Sequence, residues 1–308
     1  MPGAFGVDLR IAALNLAQHR RRSLLLGGAL AAVTGLFVLL SALTAGVRDT
    51  MVRNSTALDC GHVNVGGFFK ITSGQAAPLV TKYPAVLEVI RREVPELAYA
   101  VPRGRGFAKM IGPGGSVWSP VTSLDVTKEP GFRAAVRIES GSLDGMAKPD
   151  ALLLFHTQAE KLGVKVGDTV TLSAPTAGGI NNVIDLTVVA IAHDLGLMSA
   201  FSSFVSMPAL TRMYRMTDDS TGVILVYLKD IGKAPAVIER LRAAFLKGGW
   251  KLMDPDPNPF FMKFDKVNRE AWTGQKLDLT TWKDELTFMS WVFTALDAIT
   301  LILVVVLL

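Results

Sequence analysis

The sequence predicts an α+β membrane protein in which transmembrane helices flank a periplasmic α+β domain with split βαβ elements and a small β-rich subdomain. Three observations support this fold class. About half of the 308 residues are apolar, and the positive mean hydropathy of the chain is unusual for a soluble domain of this length. Long runs with few charges stand near both ends. Between them, short helical and strand-like patterns alternate along the chain.

The first membrane segment is predicted at residues 23–47, which contain no charged side chain. As a helix rising about 1.5 Å per residue, this segment exceeds the ~30 Å hydrocarbon core of a bilayer. It is also too long for the apolar region of a signal peptide, so we expect it to be retained. The basic cluster Arg20, Arg21 and Arg22 directly before it predicts a cytoplasmic N-terminus.

Small residues recur at intervals of three and four along this segment, which allows a second helix to approach closely. We predict that they pack against another helix or line a substrate path, the alternative being a plain lipid-facing anchor. The residues are Gly27, Gly28, Ala31, Gly35, Ala42 and Gly46.

Two further segments near the ends have membrane character. Residues 1–22 carry apolar side chains at near-helical spacing, which predicts a cytoplasmic amphipathic helix on the membrane surface. Residues 286–308 are apolar except for Asp297 and lack a basic flank. We expect them to be the start of a second transmembrane helix in a longer polypeptide. Asp297 is either a functional group inside the membrane or a residue near its interface.

Residues 48–285 remain as the periplasmic core domain. The single cysteine, Cys60, excludes an intramolecular disulfide, so a hydrophobic core must stabilise this domain. The net charge is +5, but residues 1–22 contain four Arg and one Asp, or +3, which leaves +2 for the rest of the chain. A nucleic-acid partner is therefore not predicted.

The first half of the core domain begins with a predicted strand, HVNVGG, and a helix over Tyr83 to Val94. Short antiparallel strands are expected between Leu97 and Ile138, within a β-rich subdomain at about 101–184. HTQAEKLGV is predicted as a helix, and VGDTVTL and VIDLTVVAIAHD as a hairpin. Its glycine-rich connection is a candidate loop for contact with a partner: Pro175, Gly178, Gly179 and Asn181.

The second half predicts a strand at TGVILVYLKD, a helix at APAVIERLRAAFLKG and a strand at WKLMD. This order is typical of a split βαβ unit. The proline-rich DPDPNPFF is expected to be extended. From about Lys276 onward, the absence of proline and further glycine predicts a helical stalk that continues into the second membrane segment.

Motifs for catalysis or cofactor binding are missing from the sequence, which contains no G-x-S-x-G, H-E-x-x-H, C-x-x-C or P-loop pattern. Gly104 and Gly106 begin a dinucleotide-like pattern that fails at Lys109, so a loop is predicted there. His193 followed by Asp194 is more typical of a histidine at the end of a strand, hydrogen-bonded to the backbone, than of a pair of metal ligands. We therefore predict neither a cofactor nor enzymatic activity, and any energy source must come from a partner.

A calcium site is also disfavoured. Asp254, Asp256 and Asn258 have the spacing of the first ligands of a calcium loop, but Pro259 stands where the essential glycine belongs.

Several segments resemble one family. LRIAALNLAQHRRRSLLLGGALAAVTGLFVLLSALTAGV followed by GHVNV resembles the N-terminal part of MacB/FtsX-type ABC permeases, and looks most like their lipoprotein-releasing LolC/LolE branch. AEKLGVKVGDTVTL, IDLTVVAIAHD and FVSMPALTRMY resemble the periplasmic core domain of the same family. The likeness covers most of the chain and is loose between Gly67 and Ala151.

The resemblance implies a permease subunit of the bacterial inner membrane that transmits motion between a cytoplasmic ATP-binding subunit and the periplasm. Its implied partners are membrane lipid, that ATP-binding subunit, a second permease subunit in a homo- or heterodimer, and a periplasmic carrier or lipoprotein. The connection between Ser173 and Asp185 is shorter than the carrier-recruiting hairpin of the LolC/LolE branch and lacks its second proline, so carrier recruitment is not expected from it.

Two other functions fit the same layout. Two membrane helices around an extracytoplasmic domain are also the plan of a membrane sensor or receptor with a periplasmic ligand-binding domain. A membrane-anchored hydrolase that uses His193 and Asp194 is the third hypothesis.

Overall fold

The computed structural model describes residues 18–176, 180–196, 199, 202–217 and 219–307. They form two compact units. The membrane unit comprises the described residues up to Met51 and from Met289 onward, and the core domain comprises Val52–Phe288. The amphipathic pattern predicted within residues 1–22 falls largely on residues 1–17, which lie outside the described residues.

The described residues contain eleven strands and nine α-helices. The strands are β1 (Val63–Lys70), β2 (Leu97–Arg103), β3 (Arg105–Gly112), β4 (Gly115–Ser123), β5 (Ile138–Gly141), β6 (Ala151–Phe155), β7 (Thr169–Pro175), β8 (Asn181–Ala192), β9 (Ser203–Val205), β10 (Val223–Leu228) and β11 (Gly274–Thr281). The helices are α1 (Arg20–Leu58), α2 (Tyr83–Glu93), α3 (Pro130–Ala135), α4 (His156–Leu162), α5 (Met207–Tyr214), α6 (Ala234–Lys247), α7 (Phe260–Arg269), α8 (Trp282–Glu285) and α9 (Ser290–Leu307).

The membrane unit contains most of α1 and all of α9. Helix α1 has 39 residues and, within the described part of the chain, is the one helix long and apolar enough to cross a membrane, with a mean hydropathy of 2.2 over its most apolar window. Within α9, residues Ser290–Ile302 form an apolar stretch shorter than the first, so the second crossing stays a prediction. Asp297 forms an ion pair with Arg48 at 3.4 Å.

The first sheet of the core domain is antiparallel, in the order β11-β1-β10-β2. Strands β1 and β2 are joined through α2 and run in the same direction on either side of β10. Strands β10 and β11 are joined through α6 and flank β1 in the same way. These are two interleaved split βαβ units, the arrangement of a ferredoxin-like fold. The split βαβ elements expected from the sequence are therefore present.

Two sequence predictions for this sheet are wrong. The strand that closes the second unit is β11 and not WKLMD, of which Leu252 forms only an isolated bridge to Leu277. The stalk helix predicted from about Lys276 is also wrong for the residues up to Thr281, which belong to β11, and helical segments begin only at Trp282. Leu277 and Leu279 alternate with polar residues and are buried in the core under α2 and α6. This period of two specifies a strand despite the lack of proline or glycine.

The second sheet is inserted between β2 and β10. Its seven strands follow the order β5-β8-β6-β9-β4-β3-β7, and it closes on itself because β7 pairs with both β3 and β8. The hairpin predicted from the sequence is β7–β8, with Pro175 opposite Asn181 at its end. The sheet continues to Val205, past the limit of 184 expected for the β-rich subdomain. A separate buried apolar cluster fills it.

Candidate functional site at the end of the first helix

The last turns of α1 belong to the core domain and are buried at Ser55, Thr56 and Leu58. The final carbonyl groups of a helix have no hydrogen-bond partner within it. Here other elements supply the donors. Tyr227 in β10 donates its hydroxyl to Thr56 O at 2.9 Å.

A single arginine at the end of β2 binds the last two carbonyls of α1. The Nη2 group of Arg103 donates to Ala57 O at 3.3 Å, and its Nη1 group donates to Leu58 O. A cation at a helix C-terminus is favourable because the aligned peptide dipoles leave partial negative charge there. Arg103 therefore ties the end of α1 to the first sheet.

The charge of Arg103 is balanced by Glu129, which directly precedes α3. The Arg103 and Glu129 side chains are only 1% and 2% exposed, and Arg103 Nε donates to Glu129 Oε2 at 2.8 Å. The rings of Phe132 and Phe204 lie 5.8 and 5.9 Å from the guanidinium. We call Ala57, Leu58, Arg103, Glu129 and Tyr227 the helix clamp.

The helix clamp lies where the chain passes between the two sheets. Gly104 is the single residue between β2 and β3, and its N–H donates to Ser123 Oγ at 2.6 Å. The return passage ends at Gly222, whose N–H donates to Arg103 O at 3.0 Å. A Cβ atom on Gly222 would lie 2.4 Å from the backbone nitrogen of Arg105, so only glycine fits. The predicted loop is therefore reduced to Gly104, which connects the two sheets, and the prediction is wrong for Gly106, which lies in β3 opposite Val121.

Three residues just beyond α1 have shifted pKa values. Burial raises the pKa of Asp59 to about 6, although Ser202 donates to its Oδ1 at 2.6 Å. Burial also raises the pKa of the Cys60 thiol well above its usual range. Burial lowers the pKa of His62, whose Nδ1 accepts a hydrogen bond from Leu228 N at 3.0 Å. His62 is therefore neutral at pH 7 and acts as a structural acceptor.

The residues singled out in the membrane segment are not part of the helix clamp. Arg20, Arg21 and Arg22 form the exposed start of α1, and their role in orientation stays a prediction. At the four glycines of the small-residue series, a Cβ atom would have no neighbouring atom within 4 Å. Packing of Gly27, Gly28, Ala31, Gly35, Ala42 and Gly46 against another helix therefore remains a prediction as well.

Other sequence candidates are exposed or already partnered. In the proposed partner-contact loop, Pro175 and Asn181 end the β7–β8 hairpin, while Gly178 and Gly179 lie outside the described residues. Asp194 accepts hydrogen bonds from the backbone and hydroxyl of Thr157.

The other acidic candidates are likewise partnered. Asp256 is paired with Lys266 at 3.0 Å. Across the described part of the chain, no three His, Cys, Asp or Glu side chains lie together as metal ligands.

Sequence reasoning missed Arg103 and Glu129. They are 26 residues apart and lie in a stretch rich in glycine and proline, so no periodic pattern connects them. The one available signal is a charged residue at the end of a strand whose other residues are mostly apolar. Such a residue requires a partner if it is buried.

The described residues thus combine one helix long and apolar enough to cross a membrane with a core domain of two sheets. The family described as "MacB-like periplasmic core domain" matches residues 24–244. The chain belongs to this family, and it is a membrane-anchored permease component of an ABC transporter whose bulk is periplasmic. The family implies partnership with an ATP-binding subunit.

Solved structures match the chain at low sequence identity. The extracellular domain of the ABC-type transporter YknZ from Gram-positive bacteria is 12% identical with a TM-score of 0.38, and the match covers 70% of this chain and 98% of that one. The periplasmic region of MacB from Actinobacillus actinomycetemcomitans is 11% identical with a TM-score of 0.38, and the match covers 61% and 86%. None of the curated proteins matches the chain in sequence. Membership rests on the family match.

Proposed function

We propose that this chain couples ATP hydrolysis by a cytoplasmic subunit to motion of its periplasmic core domain, and that this motion releases lipoproteins or exports another amphiphile from the inner membrane. The LolC/LolE branch is the variant of this function that the N-terminal segment resembles. In this proposal the N-terminus is cytoplasmic, and a second permease subunit packs against the small-residue series of α1.

The helix clamp is the observation that supports coupling. Helix α1 contains no proline, which is the most common cause of a sharp kink. Its last two carbonyls are held by Arg103, a residue at the passage between the two sheets. A displacement of the helix end would therefore act on both sheets through a buried, charge-assisted contact.

The test expresses the protein together with a candidate ATP-binding subunit of an ABC transporter. We expect the two to purify as a complex and to hydrolyse ATP in proteoliposomes, with release of a lipid-modified protein from the outer leaflet. A gene product that purifies alone and does not alter the ATPase rate of the candidate subunit would rule out the proposal.

A periplasmic sensor or receptor is the second candidate function, because the core domain contains a cavity of about 370 Å³ lined by aromatic and apolar residues. Such volumes suit small molecules. The same co-purification experiment distinguishes the two functions, since a sensor requires no ATP-binding subunit.

A further inference from the structure

The core domain contains a mostly apolar cavity of about 370 Å³ between its two sheets. Strands β3 and β4 contribute one part of its wall, β1 and β10 another, and the start of α7 a third. The residues just after α1 and the segment after β11 complete the lining. Phe107 and Trp118 stack against each other at this wall, with ring centres 5.7 Å apart, and both are about half exposed. The cavity thus has a flat aromatic surface that suits an apolar chain.

One cation lines this apolar cavity. Arg105 is only 6% exposed, and its Nε and Nη2 atoms have no hydrogen-bond partner. The ring of Phe260 covers the guanidinium at 4.1 Å, and the backbone of Gly66 lies so close that a Cβ there would approach Nη2 to 2.2 Å. A buried guanidinium with unsatisfied donors is costly in a folded protein. A ligand that presents acceptor oxygens would satisfy it.

Arg105 contrasts with its neighbour Arg103. Two residues away along the chain, Arg103 is buried to a similar degree, but its guanidinium donates to a carboxylate and two carbonyls. The fold therefore provides full pairing for one buried arginine of this segment and not for the other. Arginine is the side chain best suited to bind carboxylate or phosphate with two parallel hydrogen bonds.

The other charged groups of the cavity decide which head groups fit. Asp59 and Glu285 also line it. Burial raises the pKa of both carboxyls, that of Asp59 to about 6. Glu285 accepts a hydrogen bond from Thr280 at 2.6 Å. Arg105 and Glu285 attract each other electrostatically, so an anionic head group would replace that attraction and bind the unpaired donors of Arg105.

We propose that this cavity binds a single-chain anionic amphiphile, with the carboxylate or phosphate head on Arg105 and the apolar chain along Phe107 and Trp118. The site goes beyond the coupling function proposed above and does not require it. Binding is measured on the chain alone, so its failure leaves the permease function standing.

The test uses the full chain in phosphatidylcholine nanodiscs, with empty discs as the blank. Octanoate and octyl phosphate are titrated by calorimetry beside octyl glucoside and octyltrimethylammonium, which carry a neutral and a cationic head on the same chain. We expect both anions to bind at least tenfold more tightly than either control. Equal affinity for the neutral probe would overturn the assignment of Arg105.

The variants test the site itself. Arg105→Met is expected to weaken octanoate binding tenfold or more, and Arg105→Lys is expected to retain part of it, since the charge remains without the planar fork. Thr122→Phe, which fills the cavity and keeps Arg105, is expected to abolish binding of both anions. The matched control is Arg269→Met, which removes an arginine whose side chain is 80% exposed and should leave binding unchanged.

Thermal unfolding separates a ligand role from a structural one. Because Arg105 leaves two buried donors unpaired, Arg105→Met is expected to unfold at the same or a higher temperature than the unmodified chain, and octanoate should no longer raise that temperature. A lower unfolding temperature combined with undiminished octanoate binding would show that Arg105 is structural and would contradict the proposal.

Discussion

Substitutions at Arg103 and Glu129 test the energetic basis of the helix clamp. Arg103→Met leaves the Glu129 carboxylate buried without its partner, and it removes the donors to Ala57 O and Leu58 O. Breaking a buried pair from one side costs about 3–5 kcal/mol. For a domain of this size, about 2–4 °C of melting temperature corresponds to each kcal/mol. We therefore expect a loss of roughly 6–20 °C, based on those two ranges.

The double variant Arg103→Met/Glu129→Met distinguishes the ion pair from the clamp. Replacing both partners by apolar residues of similar volume is often nearly neutral, so much of the lost stability should return. The carbonyls of Ala57 and Leu58 still lack donors, and a deficit of about 1–3 kcal/mol should persist. The matched control is Arg212→Met, since Arg212 and Asp150 are about half exposed and a surface pair contributes about 0–1 kcal/mol.

The assay is thermal unfolding of the full chain in nanodiscs, followed by tryptophan fluorescence and repeated for both single variants, the double variant and the control. A cost below about 1 kcal/mol for Arg103→Met, as expected for a surface pair, would show that Arg103 does not stabilise the domain through a buried ion pair. So would a double variant no more stable than the single ones.

Three further predictions concern the same domain. The pKa of Asp59 rises from an ordinary value of 3.8 to about 6 in the fold, so the folded state holds more protons than the unfolded state in that interval and stability should fall as pH rises from about 4 to 6. In pH-dependent melting, Asp59→Asn should lack this loss and should be more stable than the unmodified chain at pH 7 by roughly 2–3 kcal/mol. Gly222→Ala should lower the melting temperature by several degrees because its Cβ would overlap the backbone of Arg105. Gly74→Ala is the control, because the atom nearest to its Cβ is 3.9 Å away and the melting temperature should not change. Equal melting temperatures for the two variants would contradict the close approach of Gly222 to Arg105. Lys263→Met should cost about 3–5 kcal/mol in denaturant unfolding because it isolates the buried Asp278 carboxylate, and a neutral effect would show that Asp278 is not charged in the fold.

Local patterns allow much of the fold to be predicted. The β7–β8 hairpin follows from alternating apolar residues on both sides of a glycine-rich connection, and α2 follows from apolar residues on one face between two prolines. The helix predicted for Lys276 to Thr281 is wrong. These residues include no helix breaker, which is compatible with a helix, and the only signal for a strand is the alternation of Leu277 and Leu279 with polar residues. Pattern length matters here, since a short strand gives only two or three buried positions.

The candidate site could not be predicted in the same way. Arg103 and Tyr227 come from strands β2 and β10, which are distant in sequence and paired in the first sheet, and Glu129 reaches Arg103 from the segment inserted between those strands. A single sequence contains no signal for such contacts. Arg105 is a similar case, because its lack of partners becomes visible only when the neighbouring strands are in place.

In the proposed mechanism, the helix clamp transmits motion between α1 and the core domain. The most direct measurement compares ATP hydrolysis with substrate release in proteoliposomes that contain the complete transporter, unmodified or with Arg103→Met/Glu129→Met. Because the double variant should fold but lacks the donors to Ala57 O and Leu58 O, we expect ATP hydrolysis to continue while release per ATP falls at least tenfold. Release per ATP equal to that of the unmodified transporter would contradict it.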